Sequence, residues 1–317
     1  MRAMIVAAGL GTRLRPLTEL RPKPALPVRG LPLLAYNLAL LAKHGVREVV
    51  INTHVLPERL KEAARRFCPA EIALEFSVEE ELLDTGGGIR RVADFLSAGG
   101  ASGSEPCLIL GGDMILDADL SALIEKHRSA DAAVTLLLRA DPRTAKFGSI
   151  GIDAEGRIRR IGRRFDLGGE TGAGLYTWAN VLSPRAFESL PDREVFSHLD
   201  DWLAPLLAQG AEDIRAELWD TAACFWEPVG TPAEYLAANL ARPNLSFLDV
   251  DALARAHGTR FEGDLVLGAG ATLGAGASLR RAVVWEGEQV PAGLEVSGGV
   301  FAGGAFHGCG REDEVGV

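Results

Sequence analysis

The chain has 317 residues and carries 33 Lys and Arg against 43 Asp and Glu, a formal charge of −10. That balance argues against sequence-independent nucleic-acid binding, which needs a basic surface to displace counterions. Cys68, Cys107, Cys224 and Cys309 lie far apart with no CxxC or Cys/His cluster, so a zinc site or disulfide framework is not expected and a reducing cytoplasm fits; the apolar runs 3–8 and 31–42 are too short for a signal core or a membrane span.

In chain order, Ala3 to Ala8 reads as a buried strand that feeds a glycine loop at Gly9. Leu33, Leu34, Leu38 and Leu41 follow helical spacing, and Gly45 stops that helix. Residues 47–52 form a second strand, Pro57 opens an amphipathic helix to Phe67, and Ile72 to Phe76 alternates like a strand. Ile89 to Leu96 reads as a helix, Cys107 to Leu110 as a strand stopped by Gly111-Gly112-Asp113, and Asp119 caps a helix that runs to Arg128. With a further strand at 132–138, strands alternate with helices, the pattern of a Rossmann-like α/β sheet, mostly parallel and sandwiched by helices. Ligands in such folds sit at the C-terminal ends of strands. Residues 9–15, 52–54 and 111–113 all fall at predicted strand ends.

Residues 141–240 are less regular. A hairpin turns at Glu155-Gly156, strands are predicted at 175–178 and 214–218, and helices at 199–208 and 232–240. Arg242 to Ser246 reads as a linker, dividing the chain into 1–242 and 243–317. Of the 37 glycines, 15 fall between Gly258 and the C-terminus. There Leu267, Leu273 and Leu279 recur every six residues, and Val284, Val290 and Val296 repeat the step after a one-residue slip. A six-residue period predicts a short left-handed β-helix-like domain, packed on the first domain or on a second copy in a homo-oligomer.

The densest chemistry lies near the N-terminus, where Ala8, Gly9, Gly11 and Thr12 precede Arg13, and Arg21-Pro22-Lys23-Pro24 follows. Gly9 and Gly11 let backbone N–H groups approach a phosphate, and Arg13 and Lys23 can neutralise its charge. Leu14 stands where a dinucleotide fingerprint needs glycine, and there is no Walker A sequence. Asp113 reads either as a metal carboxylate or as the cap of a turn. Asp117 and Asp119 read as turn and cap residues, His54 as a solvated loop residue, and Trp178, Trp202, Trp219 and Trp226 as core or rim packing.

The segment GLGTRLRPLT followed by PKP resembles the signature of the sugar-1-phosphate nucleotidyltransferases, and the likeness extends through Leu26-Pro27-Val28, Asp84 to Gly88, Gly111 to Asp113, Gly172 to Tyr176 and Val229 to Pro232. Muramate-phosphate uridylyltransferases and mannose-1-phosphate guanylyltransferases are most alike, and a C-terminal hexapeptide β-helix is a family arrangement. The resemblance implies that a sugar 1-phosphate attacks the α-phosphorus of UTP, GTP or dTTP in a Mg²⁺-dependent displacement. It makes Arg13, Lys23 and Asp113 catalytic, with Ala8, Gly9, Gly11, Thr12, Gly86 and Gly87 on the nucleotide. Gly148, Arg164, Glu170 and Tyr176 would meet the sugar phosphate, and Glu79, Glu80 and Glu81 are acceptors near the base. Two positions depart from the family pattern. Pro228 stands where the family has its second metal aspartate, leaving Glu227 as the nearest carboxylate, and Arg164 stands where a Glu-Lys pair is usual. The alternatives are a nucleotide- or sugar-nucleotide-binding regulatory protein without catalysis and a scaffold that assembles through its C-terminal domain.

Overall fold

The computed structural model describes residues 1–99 and 104–310; positions 311–317 of the expected second domain lie outside them. The first apolar run is β1 (Arg2–Val6). After it come α1 (Leu33–Lys43), β2 (Glu48–Thr53), α2 (Pro57–Phe67), β3 (Ala73–Val78), α3 (Asp84–Arg91) and β4 (Cys107–Gly111). The strands β3, β2, β1 and β4 lie side by side and parallel, since helical crossovers return the chain between them. The expected single helix over 89–96 instead starts at Asp84 and is followed by a separate short helix, Ala93–Ser97.

The chain then forms β5 (Met114–Ala118), α4 (Leu120–Ser129) and β6 (Val134–Arg139). Asp119 caps α4 by accepting from the Ala122 N–H at 3.0 Å, whereas Asp117, expected in a turn, belongs to β5. The hairpin is β7 (Ile150–Ile152) with β8 (Ile158–Ile161). The long β9 (Gly172–Leu182) runs antiparallel to β4, β6 and β7, which makes the sheet mixed beyond its parallel half. Strand β10 (Ile214–Trp219) adds parallel to β6, and β11 (Cys224–Pro228) pairs antiparallel with β5. Apolar cores cover both faces of the sheet, one containing Leu34, Leu38, Leu60 and Leu123, the other Ile89, Leu96, Trp202 and Leu207. The predicted helix over 199–208 opens with a wider π turn, His198–Leu203.

After α5 (Pro232–Leu240) the expected linker is tied down. Leu245 is buried, and the Asp117 carboxylate accepts from the N–H of Ser246 at 2.5 Å and from its hydroxyl at 2.7 Å. An unpredicted helix, α6 (Val250–Ala256), follows. The glycine-rich segment contains β12 (Arg260–Glu262), β13 (Leu265–Leu267), β14 (Thr272–Leu273), β15 (Ser278–Val284), β16 (Gln289–Val290), β17 (Glu295–Ala302) and β18 (Ala305–Gly308). Leu265 pairs in parallel with Ala282 and Ala282 with Gly299, so the chain returns to register every 17 residues, and Thr272 pairs with Gln289 at the same offset. Three six-residue steps, one shortened by a residue, give that spacing and account for the slip in the leucine-valine pattern. The antiparallel strands β12 and β18 close the two ends of the stack, leaving no open parallel edge there.

Val266, Val283, Trp285 and Val300 of this stack share one buried core with Leu14, Leu26, Tyr36 and Tyr235. Each such side chain contributes roughly 1.5–3 kcal/mol when fully buried. The stack is therefore packed on the segment that carries the PKP motif.

Candidate active site

A cleft of about 560 Å³ opens where β1, β2 and β4 end, within the size range of small-molecule sites. Ala8, Gly9, Gly11, Thr12, Arg13, Lys23 and Asp113 all line it. Gly11 adopts φ +63°, and a Cβ there would stand 2.9 Å from Thr18 Cγ2. The Thr18 hydroxyl donates to the Gly11 carbonyl at 2.9 Å and fixes the loop. The short turn Thr12–Leu14 buries Leu14 and leaves Arg13 exposed to the cleft.

Pro22 then leads into a turn, Lys23–Ala25, that aims Lys23 at the end of β4. Its Nζ lies 2.8 Å from Asp113 Oδ2. Gly112 makes this approach feasible: its N–H donates to the Val6 carbonyl at 2.8 Å, and a Cβ would sit 2.9 Å from that oxygen. Buried Asn37 of α1 donates to the Gly111 carbonyl at 2.8 Å.

Asn52 braces the floor of the cleft. Its Oδ1 accepts from the Ala7 N–H at 2.7 Å, while its Nδ2 donates to Glu79 Oε1 at 2.7 Å. Glu79 Oε2 accepts from the Leu83 N–H at 3.1 Å. Three strand ends and the approach to α3 are thus joined by one buried polar chain, a satisfied network that rigidifies a site. Glu79 is consumed in this brace, leaving Glu80 and Glu81 as the exposed carboxylates of that run. His54 is hydrogen-bonded through Nδ1 to the Glu79 carbonyl at 2.9 Å and is half-buried.

Opposite the glycine loop, Trp178 forms part of the wall. It has φ +63° inside β9, where the pairing with β6 shifts register between Tyr176 and Asn180. A left-handed backbone at a bulky residue is strained, and such strain clusters at ligand sites. The Trp178 ring stacks on Tyr176 at 5.3 Å and lies 4.8 Å from His198. Burial lowers the pKa of His198 to about 3, so it is neutral at physiological pH. It is hydrogen-bonded to the Tyr176 hydroxyl at 3.1 Å and to Thr85 Oγ1 at 2.8 Å.

Several expected contacts lie elsewhere. Gly86 and Gly87 sit inside α3 and both direct their N–H groups to the Phe196 carbonyl, at 2.8 and 3.3 Å; Leu82, Asp84 and Thr85 line the cleft in their place. On the expected sugar side, Gly148, Arg164, Glu170 and Tyr176 do not line it. Gly148 ends a short helix with φ +80°. Arg164 pairs with Asp200 at 2.7 Å and Glu170 with Arg160 at 2.8 Å. Tyr176 lies behind Trp178, on which it stacks, and is linked to the cleft residue Thr85 through His198. Glu227 is turned to Arg143, 3.4 Å away, and its pKa is raised by burial, with Arg143 opposing the shift.

Of the other residues lining the cleft, Leu82 carries no sequence signal and Trp178 reads as packing, while Leu10, Pro24, Asn52, Asp84, Thr85 and Gly230 fall within segments marked by the sequence but have no role of their own there. The signal at Asn52 is its strand-end position. Gly230 lies under Arg13, because a Cβ on it would stand 3.3 Å from the Arg13 guanidinium. Its N–H donates to buried Glu234 Oε2 at 2.7 Å, and Glu234 pairs with Lys146 at 3.0 Å.

A glycine loop, a guanidinium, an ammonium and a carboxylate thus line one cleft whose remaining walls combine Leu82 and Trp178 with the polar Asn52, Asp84 and Thr85. That combination suits a phosphate chain beside a planar or cyclic body. Among the described residues no three His, Cys, Asp or Glu side chains are grouped to hold an ion, and Pro228 offers no side-chain ligand atom. Asp113 alone still fits Mg²⁺, which commonly takes one or two carboxylates and completes its shell with phosphate and water.

The nucleotidyl transferase family profile matches residues 2–244. A mannose-1-phosphate guanylyltransferase of Mycobacterium tuberculosis is 33% identical over 93% of this chain and 82% of its own length. A UTP–glucose-1-phosphate uridylyltransferase of Synechocystis is 24% identical over 66% of this chain, and a mannose-1-phosphate guanyltransferase beta-B of Xenopus laevis 28% identical over 74%. The chain spans 56% and 63% of those two proteins. The crystal structure of HddC from Yersinia pseudotuberculosis superposes with a TM-score of 0.60 at 23% identity, covering 75% of this chain and 97% of HddC; a second HddC structure is complexed with GMP-PN. No helix among the described residues is long and apolar enough to cross a membrane.

Proposed function

This chain belongs to the nucleotidyl transferase family, and we propose that it joins a nucleoside triphosphate to a sugar 1-phosphate, giving a nucleotide-sugar and pyrophosphate. GTP and mannose 1-phosphate are the first pair to test, because the relative that is 33% identical over 93% of the chain carries that activity in its name. The observation that carries the reading is the convergence of Arg13, Lys23 and Asp113 on one cleft beside the glycine loop.

In this reaction a phosphate oxygen of the sugar 1-phosphate attacks the α-phosphorus. The new O–P bond forms as the bond to the β-phosphate oxygen breaks, and the electron pair leaves with pyrophosphate. The nucleophile is already an anion, so no general base is needed. The work of the protein is alignment and charge neutralisation. Backbone N–H groups of the 8–12 loop cradle the triphosphate. Arg13 is placed over Gly230 to neutralise the β- and γ-phosphates. Lys23, anchored by its turn, neutralises charge at the reacting phosphorus, and Asp113 fixes that ammonium in line. Mg²⁺, held by Asp113, would supply further charge neutralisation at the phosphate oxygens. Trp178 offers a flat wall for the sugar or the base.

The test is pyrophosphate release from each of four NTPs with a panel of sugar 1-phosphates, with and without Mg²⁺. One pair should turn over well above the rest and only with Mg²⁺. Tight nucleotide binding without turnover for any pair would overturn this reading in favour of a non-catalytic regulatory protein, the outcome Pro228 makes worth excluding.

A further inference from the structure

Away from the cleft, α2 and the C-terminal stack enclose a groove of about 220 Å³, lined among others by Arg21, Arg59, Glu62, Arg66, Phe67 and Glu286. Arg59 and Arg66 stand seven residues apart on α2 and so share one of its faces. Both are exposed, and neither forms an ion pair among the described residues; the Arg66 guanidinium lies over the Phe67 ring at 5.2 Å. Arg21 approaches from the PKP segment. Its guanidinium is 3.0 Å from Glu286 Oε1 and 4.9 Å from the centre of the Trp285 ring. Three guanidiniums therefore face one space that also holds two carboxylates, one of them already committed to Arg21. The groove continues into a narrow recess lined by Pro27, Val266, Val283 and Trp285, which shares Arg66 and Glu286 with it.

We propose that this groove is a second ligand site, separate from the cleft, for a small phosphate-bearing molecule. The planar forks of Arg59 and Arg66 suit phosphate oxygens and recognise them bidentately. The groove itself, about 220 Å³, has room for the phosphate and a small body, while the recess beyond it, about 10 Å³, holds at most a water. The surroundings give the site a route to the chemistry. Arg21 is joined to Lys23 through Pro22 alone, and proline's fixed φ leaves little slack between them. A bound phosphate competes with Glu286 for Arg21. In one state Arg21 is held by the stack, in the other by the ligand, and the Lys23 turn follows. Coupling of this kind requires differential contacts in two states, and Arg21 supplies them.

Inorganic phosphate is the probe, measured by equilibrium dialysis on the full chain. Because the cleft also attracts phosphate, the background is Arg13→Ala/Lys23→Ala. That variant should retain one phosphate per chain. Adding Arg59→Gln/Arg66→Gln should weaken the remaining site at least tenfold, while Glu62→Gln, which removes a repelling carboxylate, should tighten it. In an otherwise unmodified chain, Arg59→Gln/Arg66→Gln should leave basal turnover unchanged and abolish any response to added phosphate that is not competitive with substrate. Unchanged phosphate binding in the Arg59→Gln/Arg66→Gln and Glu62→Gln variants would overturn the proposal. The dialysis reads binding directly, so it stands or falls independently of the catalytic reading.

Discussion

The Lys23 ammonium lies 2.8 Å from the Asp113 carboxylate, an ion pair that joins the PKP turn to the end of β4 at the mouth of the cleft. Lys23 is nearly buried, while Asp113 keeps 48% of its side-chain surface exposed. The pair thus has a fixed half and a half open to ligand. In the proposed reaction Lys23 supplies charge where it develops in the displacement, and removing a group with that role typically costs about 10²–10³ in turnover. Lys23→Ala should lower kcat by that order with a smaller change in nucleotide affinity. Steady-state kinetics check it, and an unchanged kcat would take Lys23 out of the reaction.

Arg13 offers a separation of activity from folding. It is exposed, and its side chain forms no hydrogen bond or ion pair among the described residues; substitutions at such positions usually change stability by less than about 0.5 kcal/mol. Arg13→Ala should therefore depress kcat/KM about 100-fold or more with Tm held within a few degrees. Kinetics and thermal unfolding of the same preparation test both halves.

Pro228 tests the metal shell. It lies in β11 opposite Met114, and the next residue, Val229, donates its N–H to the Asp113 carbonyl at 3.1 Å. A carboxylate at 228 would therefore enter beside Asp113 at a buried position. Pro228→Asp should lower Tm without metal, since an unpaired buried charge is unfavourable. Mg²⁺ should then raise Tm more than in the unsubstituted chain and saturate activity at lower concentration. A Tm insensitive to Mg²⁺ in the variant would mean that the shell is built elsewhere.

Acid should loosen the fold through two buried histidines. Burial, with Arg185 and Arg128 assisting, lowers the pKa of His127 from 6.5 to about 4, and burial lowers that of His198 to about 3. Each is neutral in the fold and protonates more readily when unfolded. Their stabilisation is therefore complete above pH 6.5 and is lost as pH falls toward 4, by about 1.4 kcal/mol per pH unit for each group. Urea unfolding at pH 7.5, 6 and 5 measures the slope. His127→Gln, which keeps a partner for Thr135 and Ser183, should flatten it.

The nucleotide end of the site was legible because its residues are local in sequence. Gly9 to Arg15 and Gly111 to Asp113 each follow an apolar run, and a parallel sheet brings such strand ends together. The sugar side was not. Arg164 and Glu170 sit on hairpin and turn positions whose partners, Asp200 and Arg160, are set by tertiary packing. Trp178 reaches the cleft only because β9 breaks register against β6, which no periodicity signals. Gly86 and Gly87 read as a turn, but the helix begins at Asp84 and takes them in. The six-residue period was visible, while the antiparallel strands that close the stack carry no such pattern.

The central claim is transfer of the α-phosphorus from nucleotide to sugar, and label transfer tests it most directly. With GTP labelled at the α-phosphate and mannose 1-phosphate as acceptor, and then with the other NTP and sugar pairs, label should enter a nucleotide-sugar. With γ-labelled nucleotide it should appear in pyrophosphate alone. Label released as orthophosphate, or no transfer from any bound nucleotide, would contradict the account.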